Sequence, residues 1–415
     1  MRKLFYIKWI FVFFFSIQCF ASNGIIIEKQ PLDFFVRWKS SVSQLDIKTF
    51  HEQAKTQVVW NSSLVPNLQR VIPSDIQQLK QSISLYKNNP NILYAEPNYR
   101  IQRILPKMDQ IQIGPLPYLN TPINDPYYQQ QWALVGSNGI QVQDAWEITT
   151  GSSDIKVAVI DTGADPNHDE LSDRLLSGYD FISRTDRVSD PHGHGSHVSG
   201  VIGARTNNQM GIAGINHNVT IIPIRAVPSN GDETDANVIA SFEYAVEKGA
   251  RVANCSFGKY ASSQAVGDTI EAAGEHGLLT VVAAGNDGRN NASYNVYPAN
   301  FRTSNMIVVA ATVSSGPLAY FSNYGKTMVD VAAPGASIYS SVRNGRYAAW
   351  SGTSMASPQV AGVAALVLSV NPELTTYELK DILLQNVTKV AVFEQAIITG
   401  GRIDAAKAVA AANLH

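Results

Sequence analysis

The chain has 415 residues, a formal net charge of −2 and 16% charged side chains. That balance gives no sign of a nucleic-acid partner, for which a clear basic surplus is expected. Two cysteines, Cys19 and Cys255, exclude a disulfide-rich framework, while 45% apolar residues suffice for one large core beside a smaller one.

The first segment, MRKLFYIKWIFVFFFSIQCFAS, joins Arg2, Lys3 and Lys8 to an apolar run from Ile10 to Phe20, with a small residue, Ala21, behind it. The run is shorter than the roughly 20 residues a spanning helix needs, so a cleaved secretory signal over 1–21 is expected. No other segment is expected to cross a bilayer. Loss of Cys19 with the signal leaves one thiol and no internal disulfide. Residues 22–110 mix short apolar stretches with a helix-like run, DIQQLKQSISLYKNN, and a strand-like one, NILYAEPNYRIQRI, turning at Glu96-Pro97. Residues 111–123 belong to a stretch rich in Pro, Gly and Asn that reads as an exposed linker.

From 124 to 415 unbroken apolar runs alternate with helix-period segments. The runs are IKVAVID, VTIIPIR, ARVANCS, GLLTVVAAGN, NMIVVAAT and MVDVAAPG. Strands apolar on both faces, alternating with helices, predict an α/β, doubly wound, mostly parallel sheet covered on both sides. The chemistry of such sheets sits at the strands' carboxyl ends. This chain places Asp161, Ser256 and Asn286 there.

Three segments stand out. In VAVIDTG, Asp161 ends an apolar strand, where a carboxylate must be hydrogen-bonded; a mere turn-capping aspartate gives the same tripeptide. In HGHGSHVSG, His194 lies between glycines. His192 and His197 nearby allow a metal reading, but a zincin would place Glu directly after its first His, and Gly195 stands there. In SGTSMASPQVAGVAALVLSV, Ser354 precedes a long small-residue helix with Pro358 expected in its first turn. A serine there lies in the positive end of the helix dipole, though Ser351, Thr353 and Ser357 are equally good capping residues.

Taken together, DTG, HGSHVSG and GTSMASP resemble, in order and spacing, the subtilisin-like (subtilase) serine proteases. Asp, His, Ser is the chain order of that family. NDPYYQQQW, GIAGI, VVAAGN, FSNYG and DVAAPG extend the likeness from Asn124 to the C-terminus, nearest to thermitase-like members. The resemblance implies a serine endopeptidase with Asp161, His194 and Ser354 as triad and Asn286 as oxyanion donor. It implies S1 walls from Ser256, Phe257 and Gly258 and from Ala283, Ala284 and Gly285, with Val296, before Tyr-Pro, at the pocket floor. It also implies structural calcium on Asp125, Glu170, the Asn208 side chain and the carbonyls of Arg205, Met210 and Ile212; polar residues that merely hold turns remain the alternative. Residues 22–110 resemble the family's inhibitor-type pro-domain, an α+β unit marked here by AEPNY. A secreted, self-processing monomer acting on proteins or peptides is therefore expected, with its own pro-domain as partner. Cys255 is expected to be a buried apolar residue. The rivals are a catalytically silent protein of the same fold and a nucleotide-binding α/β protein. IDTGADPNH lacks the glycine-rich turn the latter needs.

Overall fold

The computed structural model describes residues 32–102, 123–228 and 232–414. The expected signal and nearly all of the expected linker lie outside these residues.

Residues 34–97 form a small α+β unit. Its elements are β1 (Phe34–Trp38), α1 (Gln44–Gln53), β2 (Thr56–Asn61), β3 (Leu68–Pro73), α2 (Leu79–Lys87) and β4 (Ile92–Pro97), and the antiparallel sheet runs β2-β3-β1-β4. Strand alternation sorts β1 between two cores. Phe34, Val36 and Trp38 pack with Ile47, Ile83 and Tyr86 of the unit's own helices. Phe35 faces the other way, into a cluster with Ile239 and Phe242 of the large domain. The turn expected at Glu96-Pro97 falls one step later. The strand continues through Pro97 and breaks at Asn98, whose backbone N–H and side-chain amide both bond to Asp33. β5 (Arg100–Gln102) follows.

Two short helices, α3 (Trp132–Val135) and α4 (Val142–Trp146), lead into the large domain. There β6 (Gly151–Asp161), β7 (Tyr179–Asp180), α5 (His194–Gly203), β8 (Asn218–Arg225), β9 (Asp232–Thr234), α6 (Asp235–Glu247), β10 (Val252–Cys255), α7 (Gln264–Glu275), β11 (Leu279–Ala283), β12 (Met306–Thr312) and β13 (Val331–Pro334) succeed one another. A hairpin, β14 (Ile338–Val342) and β15 (Arg346–Trp350), precedes α8 (Thr353–Val370). The chain then runs through α9 (Thr376–Gln385), β16 (Thr388–Lys389), β17 (Gly401–Arg402) and α10 (Ala405–Ala412).

Each of the six apolar runs contributes a strand to one sheet of order β16-β17-β13-β12-β11-β10-β6-β8-β7. Its described pairs are parallel except β16 with β17. Both faces are covered, as the unbroken apolarity requires. Val157 and Val159 of β6 point into the cluster containing α8; Ala158 and Ile160 point into the one containing α6. Strand order reverses around β6, so the carboxyl ends of β6, β10 and β11 surround a topological switch point. By length and hydropathy α8 could cross a membrane, contrary to the expectation that no later segment could. In this fold 89% of it is buried, as the central helix of the larger core.

Candidate active site

Asp161 closes β6 at the switch point and is 1% exposed. Its Oδ1 accepts the Thr162 backbone N–H and His194 Nδ1–H, each at 2.7 Å. An ionised carboxylate only accepts, so Nδ1 carries the proton and Nε2 is the imidazole's basic end. His194 begins α5 directly after Gly193, whose φ of +100° suits glycine. Of the histidines crowded here, His194 Nδ1 is bonded to Asp161, and His197 Nε2 to the Ile338 carbonyl at 2.9 Å.

A second buried carboxylate, Asp190, ties these two segments together, and the sequence reading did not single it out. Its Oδ1 accepts Thr162 Oγ1–H (2.8 Å) and the N–H groups of His192 (3.1 Å) and Gly193 (2.7 Å). Its Oδ2 accepts the Ser196 N–H (2.8 Å) and Oγ–H (2.7 Å). Thr162 Oγ1 in turn accepts the Gly195 N–H at 3.0 Å. The signal was present as an aspartate just ahead of the Pro-His-Gly-His turn.

Ser354 sits in the first turn of α8, which packs against α5. Its hydroxyl donates to the Ser256 carbonyl at 3.0 Å. Pro358 falls in the second turn of α8, not the first as expected. A proline there leaves the carbonyl four residues earlier without its helical donor. That carbonyl belongs to Ser354, and Ser256 Oγ–H fills the gap at 2.8 Å. One serine of the β10 exit loop thus holds both ends of Ser354.

Asn286 lies in the loop after β11 and is exposed. Its Oδ1 accepts the Thr353 N–H (2.8 Å) and Oγ1–H (3.0 Å). This fixes the orientation of the carboxamide and turns Nδ2 away from Thr353 as a donor. Phe257, Ala283 and Ala284 are buried. Val296, 4% exposed, stands against both expected walls. A Cβ on Gly258 would come within 2.8 Å of Val296 Cγ1, and one on Gly285 within 3.4 Å of Cγ2. Cys255 is buried in β10.

The residues expected to hold calcium also converge. Asp125 (4% exposed) accepts the Asn207 and Asn208 N–H groups at 2.9 and 3.0 Å. Glu170 (0% exposed) accepts the Ile212 N–H (3.0 Å), the Tyr347 hydroxyl (2.9 Å) and Asn208 Nδ2 (3.1 Å). Burial pushes Asp125 up to about 6 and Glu170 up to about 7, the latter also by repulsion from Asp125. The geometry departs from expectation at Asn208. Its carboxamide donates to Glu170 and its Oδ1 accepts the Met210 N–H at 2.9 Å, so that oxygen is not turned toward a shared cation position. The extra methylene of Glu170, where the family more often has aspartate, carries its carboxylate as far as Asn208. The Arg205 side chain turns to Asp173. Tyr347, on β15, was not foreseen, because nothing in its sequence neighbourhood marks it.

The large unit also wears a docked cover. β5 pairs antiparallel with β9, Ile101 opposite Glu233. The Glu96 carboxylate accepts Ser263 Oγ–H (2.8 Å), Gln264 N–H (3.0 Å) and Ala265 N–H (2.9 Å) at the start of α7. Asn98 Oδ1 accepts the Ala236 N–H at the start of α6 (3.1 Å). Asp268 of α7 is gripped by Arg37 at 2.6 Å and by the Tyr94 hydroxyl at 2.7 Å.

Residues 152–400 match the model of the subtilase family. The thermophilic serine proteinase of Bacillus sp. (strain AK1) is 38% identical over 322 residues, 77% of this chain and 74% of that protein. Thermitase of Thermoactinomyces vulgaris is 38% identical over 246 residues, 59% of this chain and 85% of that one. Among solved structures, fervidolysin from Fervidobacterium pennivorans superposes with a TM-score of 0.74 at 25% identity, covering 94% of this chain and 62% of that one.

Proposed function

The chain belongs to the subtilase family and is a serine endopeptidase, and on that footing we propose that Asp161, His194 and Ser354 are its triad and that it is exported as a self-processing precursor. The observation that carries the triad is the buried 2.7 Å hydrogen bond from His194 Nδ1 to Asp161, with His194 on α5, which packs against the helix α8 that bears Ser354. In the reaction the Ser354 hydroxyl turns from the Ser256 carbonyl, gives its proton to His194 Nε2 and attacks the scissile carbonyl. His194 then protonates the leaving amine, and Asp161 stabilises the imidazolium throughout. Water repeats the sequence on the acyl-enzyme. The Ser354 N–H, in the first turn of α8 and so without a helical acceptor, and Asn286 Nδ2 donate to the oxyanion. Covalent capture by a fluorophosphonate tests the reading: the adduct belongs on Ser354, and labelling elsewhere, or none, overturns it.

The small unit, within 22–110, acts as pro-domain. Its β5 occupies the edge of β9, where an extended substrate would otherwise add a strand. Glu96 and Asn98 meanwhile supply acceptors to the orphan N–H groups of α7 and α6. Processing falls between Leu105 and Asn124, and 124–415 is the mature peptidase. Export rests on the basic-apolar segment 1–21.

Val296 forms the floor of an uncharged, shallow S1 pocket. Large aromatic P1 side chains must displace packed atoms, which typically costs about 1–3 kcal/mol. Substrates with Ala or Leu at P1 should therefore exceed those with Phe or Tyr by roughly 10- to 100-fold in kcat/KM. Val296→Gly should reverse the order. A wild-type preference for Phe, or an unchanged ranking in Val296→Gly, would remove Val296 from this role.

Calcium at the 205–212 loop is supported by charge. Asp125 and Glu170 are buried side by side, and among the described residues neither is in a salt bridge. A hard cation held there by Asp125, Glu170 and, after its carboxamide turns over, Asn208 would neutralise the pair and stabilise the folded state alone. At a hundredfold excess over Kd the gain is about 2.7 kcal/mol, seen as a melting temperature higher in calcium than in chelator. The difference should vanish in Asp125→Ala. Equal melting temperatures for the wild type would leave the loop held by hydrogen bonds alone.

A further inference from the structure

One aromatic ring joins the strand leading to Ser354 with the helix bearing His194, and the chemistry above gives it no task. Trp350 ends β15, four residues before Ser354, and is 6% exposed. Its ring lies flat on His197, with centroids 4.9 Å apart and planes 4° from parallel. It is also nearly parallel to His194, at 6.2 Å and 21°, and roughly edge-on to His192, at 6.3 Å and 72°. His194 and His197 stand at i and i+3 on α5, so one flat side chain can serve both. His197 is a fixed neutral plate: burial pushes it down to about 3, and its Nε2 is bonded to Ile338.

We infer that Trp350 is a positioning residue for His194, holding the imidazole plane in its bond to Asp161 and favouring the imidazolium that forms when Ser354 loses its proton. An aromatic face packs against the neutral ring but attracts a cation more strongly, so its effect is greatest where the charge develops. The inference rests on His194 being the base. The titratable groups around His194 are Asp161 from β6, His192 from the preceding loop and His197 on its own helix. Asp190 and Arg343 act one step away, on His192. None of these is altered by replacing the indole with another apolar side chain.

The test compares Trp350→Leu, Trp350→Met and Trp350→Phe, expressed as full precursors and normalised by active-site titration after processing. In Leu and Met, kcat should fall roughly 3- to 30-fold with KM within about twofold. The acid limb of kcat/KM reports protonation of His194. An aromatic face raises the pH at which the proton binds, so its loss should move the limb to lower pH, by roughly 0.3–1 unit. Phe, which keeps the face, should recover most of both. Unchanged kcat in Leu and Met, a limb that stays or moves to higher pH, or a Phe variant no better than Leu would each overturn the inference. Full activity in His194→Ala would overturn the base assignment itself, a separate outcome. Should Leu fail to mature, Met and Phe still decide the question.

Discussion

Ser354→Ala should leave a folded precursor that neither hydrolyses peptides nor cuts itself. The fold tolerates the change because the hydroxyl makes one hydrogen bond, to the Ser256 carbonyl, and losing one such bond costs about 1 kcal/mol. The Ser354 carbonyl keeps its donor from Ser256 Oγ, so the proline-interrupted turn of α8 stays closed. Chemistry should fail almost completely: loss of the corresponding serine in subtilisin itself lowers kcat by about 10⁶-fold. The described contacts between the small unit and the large one, at α6, α7 and β9, do not involve the hydroxyl. The uncut chain should therefore elute as one species with β5 still on β9, and its thermal unfolding should stay within a few degrees of the active precursor's. Activity above the level of an Asp161→Asn or His194→Ala variant would refute the nucleophile. Clipping of purified Ser354→Ala precursor between Leu105 and Asn124, in a host without other proteases, would refute self-processing while leaving the nucleophile intact.

What could be read from the sequence was what repeats along it. The six strands were legible because a strand buried on both faces must be apolar without interruption, as in Val157 to Ile160 and Val281 to Ala284. Their order in the sheet was not, since β8 and β10 flank β6 through long crossovers that leave no local trace. Asp161 and Asn286 stand out because each follows an apolar run at a turn, whereas His194 and Ser354 stand out only through the order of DTG, HGSHVSG and GTSMASP, since Ser351, Thr353 and Ser357 are locally equivalent. Asp190, Tyr347 and Trp350 escaped because their work is done at long range. Tyr347 reaches Glu170 across 177 positions, and Trp350 reads locally as one more apolar residue of an edge hairpin. The small-residue run by itself puts Pro358 in the first turn of α8. The actual start is at Thr353, where Asn286 accepts the first N–H.

The same Thr353 contact sets up the second large effect. In Asn286→Leu, kcat should fall by about 10²–10³-fold with KM nearly unchanged, a figure measured on subtilisin's own oxyanion asparagine and borrowed here. Asn286 is exposed, so a leucine of similar size needs no cavity and displaces no core. What is lost is twofold. Oδ1 no longer receives the Thr353 N–H and hydroxyl, at 2.8 and 3.0 Å, which loosens the start of α8 slightly. Nδ2 is no longer present as the proposed oxyanion donor. The first loss bears on stability and on substrate and transition state alike. The second acts only when negative charge appears on the carbonyl oxygen, and so reduces kcat without weakening substrate binding. Thr353→Val separates them. It removes the hydroxyl, and with it the bonds to Asn286 Oδ1 and from the Gly285 N–H, but keeps the backbone N–H that orients the carboxamide, so its kcat should stay within about tenfold of wild type. If Asn286→Leu instead raises KM with kcat preserved, Asn286 binds substrate and the oxyanion is held elsewhere. If Thr353→Val is as damaging as Asn286→Leu, orientation by the hydroxyl, and not donation by Nδ2, is what the reaction needs.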